Sequence, residues 1–348
     1  MTRTRLQDML NLELPIVQAP MAGVQGSELC IAVSDAGGLG SLPCAMLGPE
    51  AIREELEAVT AGTDRAYNVN FFCHQPPRVD APREAAWRNA LAPYYEEFGL
   101  DIDDRAPVED RAPFGPAELE VIQAFKPPVV SFHFGLPADD LVQAVRAMGS
   151  KILCSATTLA EAKWLADRGV DAIIAQGLEA GGHRGMFLSE DVTTQVGSLA
   201  LWPQVVNAVD IPVIAAGGIA DADGVAAALG LGAAGVQIGT AFLLCNEART
   251  SQLHRNALQD PSAVHTALTN RFSGRPARGI VNRIIRELGP LGDDVVPFPL
   301  ASIALGPLRK AAEARGRTDF TSLWSGQNAS GCREIAAAQQ LRRLAAKL

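Results

Sequence analysis

Short apolar runs bounded by glycine or proline alternate along the chain with helix-like stretches. The runs lie at 15–20, 39–42, 67–72, 129–134, 151–156, 172–176, 212–216 and 235–240. Most are rich in Val, Ile and Ala without strict alternation, as parallel strands covered on both faces are. Between them, 27–36, 49–60, 137–148, 158–168 and 221–231 read as helices. Several of these open on a capping residue or an early proline and close near glycine. Thr158 and Glu161 have the spacing of a capping box. Eight strands alternating with helices predict an α/β fold, a (β/α)8 TIM barrel, with an open doubly wound sheet as the rival.

Two segments break the repeat. Residues 75–128 form too long a strand-to-strand connection; they hold a helix-like region at 81–98 and an acidic, proline-containing loop at 101–116. They read as an insertion on a barrel spanning 1–246. Residues 247–319 carry a basic turn, Ser273-Gly-Arg-Pro-Ala-Arg-Gly279, and a Gly/Pro-rich stretch at 289–299. They read as a smaller, mostly helical lid domain over the barrel mouth. In the C-terminal segment 320–348, an amphipathic helix over 332–348 places Ile335, Leu341 and Leu344 on one side and is expected to pack back on the barrel.

Composition narrows the function classes. With 348 residues, 48% hydrophobic and 20% charged, the chain suits a globular protein with a full-sized core. A net charge of −9 disfavours nucleic acid as the main partner. No apolar run is long enough to span a bilayer. The basic N-terminus lacks the apolar segment of a secretory signal. Cys30, Cys44, Cys73, Cys154, Cys245 and Cys332 are scattered without a CxxC pair, so buried thiols in a reducing cytoplasm are expected rather than a disulfide framework or zinc site. No His/Asp/Glu set has metal-ligand spacing.

The candidate chemistry lies at the strand ends, where barrels of this type bind ligands. Pro20, Met21, Ala22 and Gly23 follow the first strand. Asn70 ends the third, His133 the fourth, and Cys154-Ser155 the fifth. Gln176 ends the sixth and leads into a loop with Gly177, Gly181, Gly182, His183 and Gly185. That loop is read either as a tight turn with a solvated histidine or as a site where a ligand approaches the backbone. Gly217-Gly218 and Gly239-Thr240 open turns into helix-like segments, a frequent phosphate cradle. No lysine-bearing P-loop is present, so the phosphate of a cofactor fits better than a nucleoside triphosphate. The strand starts, Val129, Ile152 and Val213, are plain. His133, between Phe132 and Phe134, reads as a satisfied inner histidine close to the mouth. Cys154 reads as a small buried residue, and His74, His254 and His265 as surface groups.

The chain resembles the class I nitronate monooxygenases, once called 2-nitropropane dioxygenases. The resemblance rests on Gln18-Ala-Pro-Met-Ala-Gly23, Ala36-Gly-Gly-Leu-Gly40, Asn68-Val-Asn-Phe-Phe72 and Ser131-Phe-His-Phe-Gly135. It continues in Gln176-Gly-Leu-Glu-Ala-Gly-Gly-His-Arg-Gly185, Ala215-Ala-Gly-Gly-Ile219, Gln237-Ile-Gly-Thr-Ala-Phe242, the basic turn at 273–279 and Trp324-Ser-Gly-Gln327. It implies an FMN-dependent barrel enzyme that oxidises alkyl nitronates with O2 to a carbonyl compound and nitrite. FMN would contact Asn70, Gln176, Gly181, Gly182, Gly218, Gln237, Gly239 and Thr240, with Gly217 and the Pro20–Gly23 turn close to it. His183 matches the catalytic histidine, and His133, Phe298 and Ser302 would face the substrate. An imidazolium would attract the anionic nitronate, whereas a neutral imidazole could take the α-proton of a nitroalkane.

One departure concerns the lid. Phe298, Ser302 and Gly306 stand where the resemblance implies Tyr, Tyr and Lys, so a roomier, less cationic pocket is expected, with a larger or less charged substrate. The competing readings are an FMN barrel NAD(P)H:quinone or enoyl-thioester reductase, a flavin-free sugar-phosphate isomerase or lyase, and an FMN-binding module without turnover. The oligomeric state is not legible in the sequence.

Overall fold

The computed structural model describes residues 3–78, 80–103 and 112–348. Part of the acidic loop at 101–116 lies outside the described residues. The strands are β1 (Ile16–Gln18), β2 (Gly40–Pro43), β3 (Tyr67–Phe72), β4 (Val129–His133), β5 (Lys151–Ala156), β6 (Ala172–Gln176), β7 (Gly182–His183), β8 (Val213–Ala216), β9 (Gly235–Ile238), β10 (Thr266–Thr269) and β11 (Ala277–Ile280). Eight of them pair in the order β1-β9-β8-β6-β5-β4-β3-β2, all parallel. A parallel bridge between Val17 and Leu39 joins β1 to the start of β2. The sheet therefore closes into the expected barrel, and its strands fall on the eight apolar runs.

Side chains alternate across a strand, so every second residue of a barrel strand faces inward. The inward residues near the strand starts include Val17, Leu39, Val129, Leu153, Ala172 and Ile214. They form a small apolar core with Leu6, Leu10 and Leu12. The helix Arg5–Leu10 thus plugs the barrel floor. A Cβ on Gly235 would lie 2.3 Å from Leu6 Cδ2, so glycine there lets the plug seat. The outward residues, such as Val130, Phe132, Ile152 and Ile173, pack under the surrounding helices in the main core. Each such side chain contributes about 1.5–3 kcal/mol on burial. The floor and outer layer can therefore hold the barrel while the inward positions at the strand ends stay polar. Register keeps those positions level: Asn70 pairs with Ser131, and Gln176 with Ala216, which pairs with Gln237.

The segments outside the repeat meet each other. The helix Ala81–Phe98 packs on the helix Ala301–Glu313, burying Trp87, Leu91 and Tyr95 with Leu305 and Leu308. Between the lid helices lies a small sheet that periodicity did not reveal, in the order β10-β11-β7. It pairs Ala277 with His183, tying the loop after β6 to the lid. The last helix is shorter than expected, Ala337–Leu344, and buries Leu341 and Leu344 in the main core. A further helix, Ser198–Val206, was hidden in the sequence by an internal Pro203 and a Gly197 cap with no side chain. Thr158 does cap its helix, accepting from the Glu161 amide at 3.2 Å. The Glu161 carboxylate, however, accepts from the amide and hydroxyl of Thr157, the residue before the cap, so the box is only half made.

Candidate functional site

A cavity of about 430 Å³ opens at the C-terminal ends of the barrel strands. Pro20, Met21, Ala22 and Gly23 line it from the turn after β1, Asn70 from β3, His133 from β4 and Gln176 from β6. Gly181, Gly182 and His183 line it from the next loop, and Gly217 and Gly218 from the turn after β8. Gln237, Gly239 and Thr240 come from β9 and its exit, and Phe298 and Ser302 from the lid. Every residue given a cofactor, substrate or catalytic role in the sequence reading is therefore brought to one cavity. Of the other strand-end residues named there, Ser155 lines it and Cys154, Gly177 and Gly185 do not; Ser273, Arg309 and Trp324, which were given no role, line it as well.

The loop after β6 is held by atoms from distant segments. The Gln176 side chain donates from Nε2 to the His183 carbonyl at 3.0 Å and accepts from the Gly185 amide at 2.8 Å. Its amide thus spends a donor and an acceptor on the loop that carries the histidine. Arg184 is fully buried, and its guanidinium donates to the carbonyls of Gln176 (2.8 Å) and Gly177 (2.7 Å) and to Gln195 Oε1 (2.9 Å). The buried Glu161 carboxylate accepts from Thr157 on one oxygen and from the Phe187 and Leu188 amides on the other. Each of these two charged groups satisfies backbone groups that would otherwise be buried without partners, which costs roughly 1–3 kcal/mol apiece.

His183 sits half-buried in an aromatic frame. Its ring lies 5.4 Å from Phe298, 5.4 Å from Trp324, 6.1 Å from Phe72 and 6.0 Å from Phe134. Nε2 is 2.8 Å from Ser273 Oγ, in the basic turn. The frame excludes water on several sides while one ring face borders the cavity.

The opposite wall is backbone. Gly217 and Gly218 have φ of 111° and 75°, conformations that strain a residue with a Cβ. Gly181 has no room for a side chain, since a Cβ would meet the Gly326 nitrogen at 2.5 Å. The Gly326 amide in turn donates to Thr240 Oγ1 at 3.0 Å, so the 324–327 segment laces the two turns together. Gln237 Oε1 is buried with no partner among the described residues. Glycine turns beside an orphaned amide oxygen suit a ligand with a phosphate end and a hydrogen-bonding body.

His133 behaves as a structural group at the rim. Nδ1 is 3.0 Å from Ser155 Oγ and Nε2 is 3.2 Å from the His183 carbonyl, so Nε2 donates and Nδ1 accepts. Burial, with Arg275 and Arg184 nearby, holds its pKa down to about 3, against the pull of the bond to the His183 carbonyl. The expectation that His74 and His254 lie on the surface is corrected: both are buried. His74 stacks edge-on against Phe298 at 4.8 Å, and His254, itself in the 247–319 segment, lines the cavity, where burial lowers its pKa to about 4. His265 is exposed, as expected.

These shifts carry a sign. His133 and His254 have folded pKa values below the ordinary histidine value of about 6.5. Between about pH 6.5 and pH 4 the unfolded chain binds protons that the folded chain does not, so stability falls as pH falls. Each group contributes a slope approaching about 1.4 kcal/mol per pH unit. Urea unfolding at stepped pH is expected to show this loss, and His254→Gln is expected to flatten it. An unchanged slope would mean that His254 is not a neutral buried group.

The lid wall holds Phe298, Ser302, Leu305, Gly306 and Arg309. A Cβ on Gly306 would meet nothing within 4 Å, so that position opens space. Arg309, one helical turn beyond Gly306, puts a positive charge on this wall.

Residues 3–345 match the family model described as nitronate monooxygenase. The chain belongs to the nitronate monooxygenase family. It is 43% identical over 351 residues to a nitronate monooxygenase of Pseudomonas aeruginosa, covering 99% of each chain. Among solved structures, nitroalkane oxidase from Streptomyces ansochromogenes matches with a TM-score of 0.88 at 40% identity, over 99% of this chain and 97% of that one. FabK from Thermotoga maritima matches with a TM-score of 0.72 at 26% identity, over 100% and 96%. The protein is thus an oxidoreductase of the nitronate monooxygenase type. Among the described residues, no helix is long and apolar enough to cross a membrane.

Proposed function

We propose that the protein binds FMN and oxidises alkyl nitronates with O2 to a carbonyl compound and nitrite. The observation that carries this reading is the meeting, on one cavity, of the His183 ring, the orphaned Gln237 Oε1 and the glycine turns after β8 and β9. The turns would take the phosphate on the Gly218 and Gly239 amides, and Gln237 and Asn70 would bond the body of the cofactor. Bound FMN would supply the redox chemistry, accepting electrons from the nitronate and passing them to O2. The chain does the rest. Phe72, Phe298 and Trp324 keep water from the reacting end. His183 attracts the nitronate when protonated, or takes an α-proton when neutral. Gln176 and His133 hold its backbone in place.

The test is reconstitution with FMN followed by a screen of alkyl nitronates for O2 uptake and nitrite release. Both are expected together. Anaerobic mixing adds the decisive contrast: the flavin should bleach with nitronate and not with NADH. Rapid bleaching by NADH would move the protein to the reductase reading, and failure to retain any flavin would remove FMN.

A further inference from the structure

The cavity does not end at His183. It continues along one face of the helix Ala301–Glu313, past Ser302 and the open position at Gly306, to Arg309 at the rim. Ser302 and Arg309 are seven positions apart, so this arm runs about 10 Å at 1.5 Å per helical residue. Leu305 gives it an apolar side. Arg309 is exposed and makes no hydrogen bond or ion pair among the described residues. The other cavity arginine, Arg249, is engaged by Glu28 and Glu55. One turn beyond Arg309, the Glu313 carboxylate also lines the cavity and accepts from Thr321 Oγ1 at 2.8 Å. An anion reaching along the arm is thus attracted at Arg309 and repelled if it goes further.

We propose that this arm receives an elongated substrate: the reacting carbon lies near His183, an extended hydrocarbon chain passes Leu305 and Gly306, and a terminal carboxylate pairs with Arg309. A short nitronate leaves the arm empty, and an uncharged chain fills it without the ion pair. This substrate class rests on the proposed nitronate chemistry, but the arm itself can be tested without turnover.

The test uses the FMN-loaded protein and its Arg309→Ala and Arg309→Lys variants. Octanoate and octanol are titrated against intrinsic tryptophan fluorescence, with Trp324 on the cavity wall as reporter. In parallel, nitrite release is followed with the nitronates of 8-nitrooctanoate and of nitrooctane. Octanoate is expected to bind more tightly than octanol, and Arg309→Ala to cut that preference about tenfold, as for one charge-assisted bond. Arg309→Lys should keep part of it, and added salt should weaken it, because the pair is exposed. The kcat/KM ratio of the two nitronates should move in step, mainly through KM. Equal binding of the two probes, or a preference untouched by Arg309→Ala, would overturn the proposal. A preference lost in Arg309→Ala with no nitrite from either nitronate would support the arm and defeat the nitronate reading instead.

Discussion

Replacing His183 with Asn is expected to leave FMN bound at full stoichiometry and to lower kcat/KM about 100-fold or more, the range that general acid–base groups contribute. The structure explains why retention and loss separate. What fixes this residue in the fold is main chain: β7 pairs with β11, and the His183 carbonyl accepts from Gln176 and His133. Asn preserves all of these and can still reach toward Ser273, so only the imidazole is removed. The substrate form then tells which role is lost. If the ring attracts the anion, the nitronate loses most. If it takes the α-proton, the neutral nitroalkane loses most. Turnover equal to wild type on both would take His183 out of the mechanism.

The barrel was legible because buried parallel strands leave continuous apolar runs between Gly and Pro, and because polarity rises toward one end of each run. Val129, Ser131 and His133 show this within a single strand. The glycine turns were legible for a similar local reason. The roles given to Asn70, Gln237 or Phe298 came from family resemblance and not from pattern. What stayed hidden depends on partners far along the chain. Local pattern gave Glu161 a capping role and Arg184 none, and only the folded loop shows the carbonyls and amides that they satisfy. His74 is buried against Phe298, more than two hundred residues along the chain, and the burial of His254 likewise shows only in the fold. The strand Gly182–His183 is too short to show a period at all. Arg309 shows the same limit: the resemblance put Gly306 where it implies a lysine, and only the helix shows another cation one turn away.

The other large effect belongs to a residue that touches neither cofactor nor substrate in the proposed reaction. Arg184→Leu is expected to destabilise the fold by about 3–5 kcal/mol, since three acceptors are left unsatisfied at roughly 1–3 kcal/mol each. An opposing term reduces this. Burying the guanidinium is costly enough that its pKa falls to about 9, with Arg278 adding repulsion and Glu179 and Glu161 offsetting part of it. Leucine recovers that desolvation cost. The acceptors should still decide the sign, because the carbonyls of Gln176 and Gly177 close the end of β6 in a dry pocket and leucine offers them nothing. Lysine, a single point donor, cannot fork to both carbonyls and Gln195 at once. Stability should therefore fall in the order Arg, Lys, Leu, measured as urea midpoints on FMN-free protein. Activity should fall in the same order, because the anchor holds the chain on either side of the Gln176–His183 bond. If Arg184→Leu kept both the wild-type midpoint and kcat, the loop would have to be held by Gln176 and Glu161 alone.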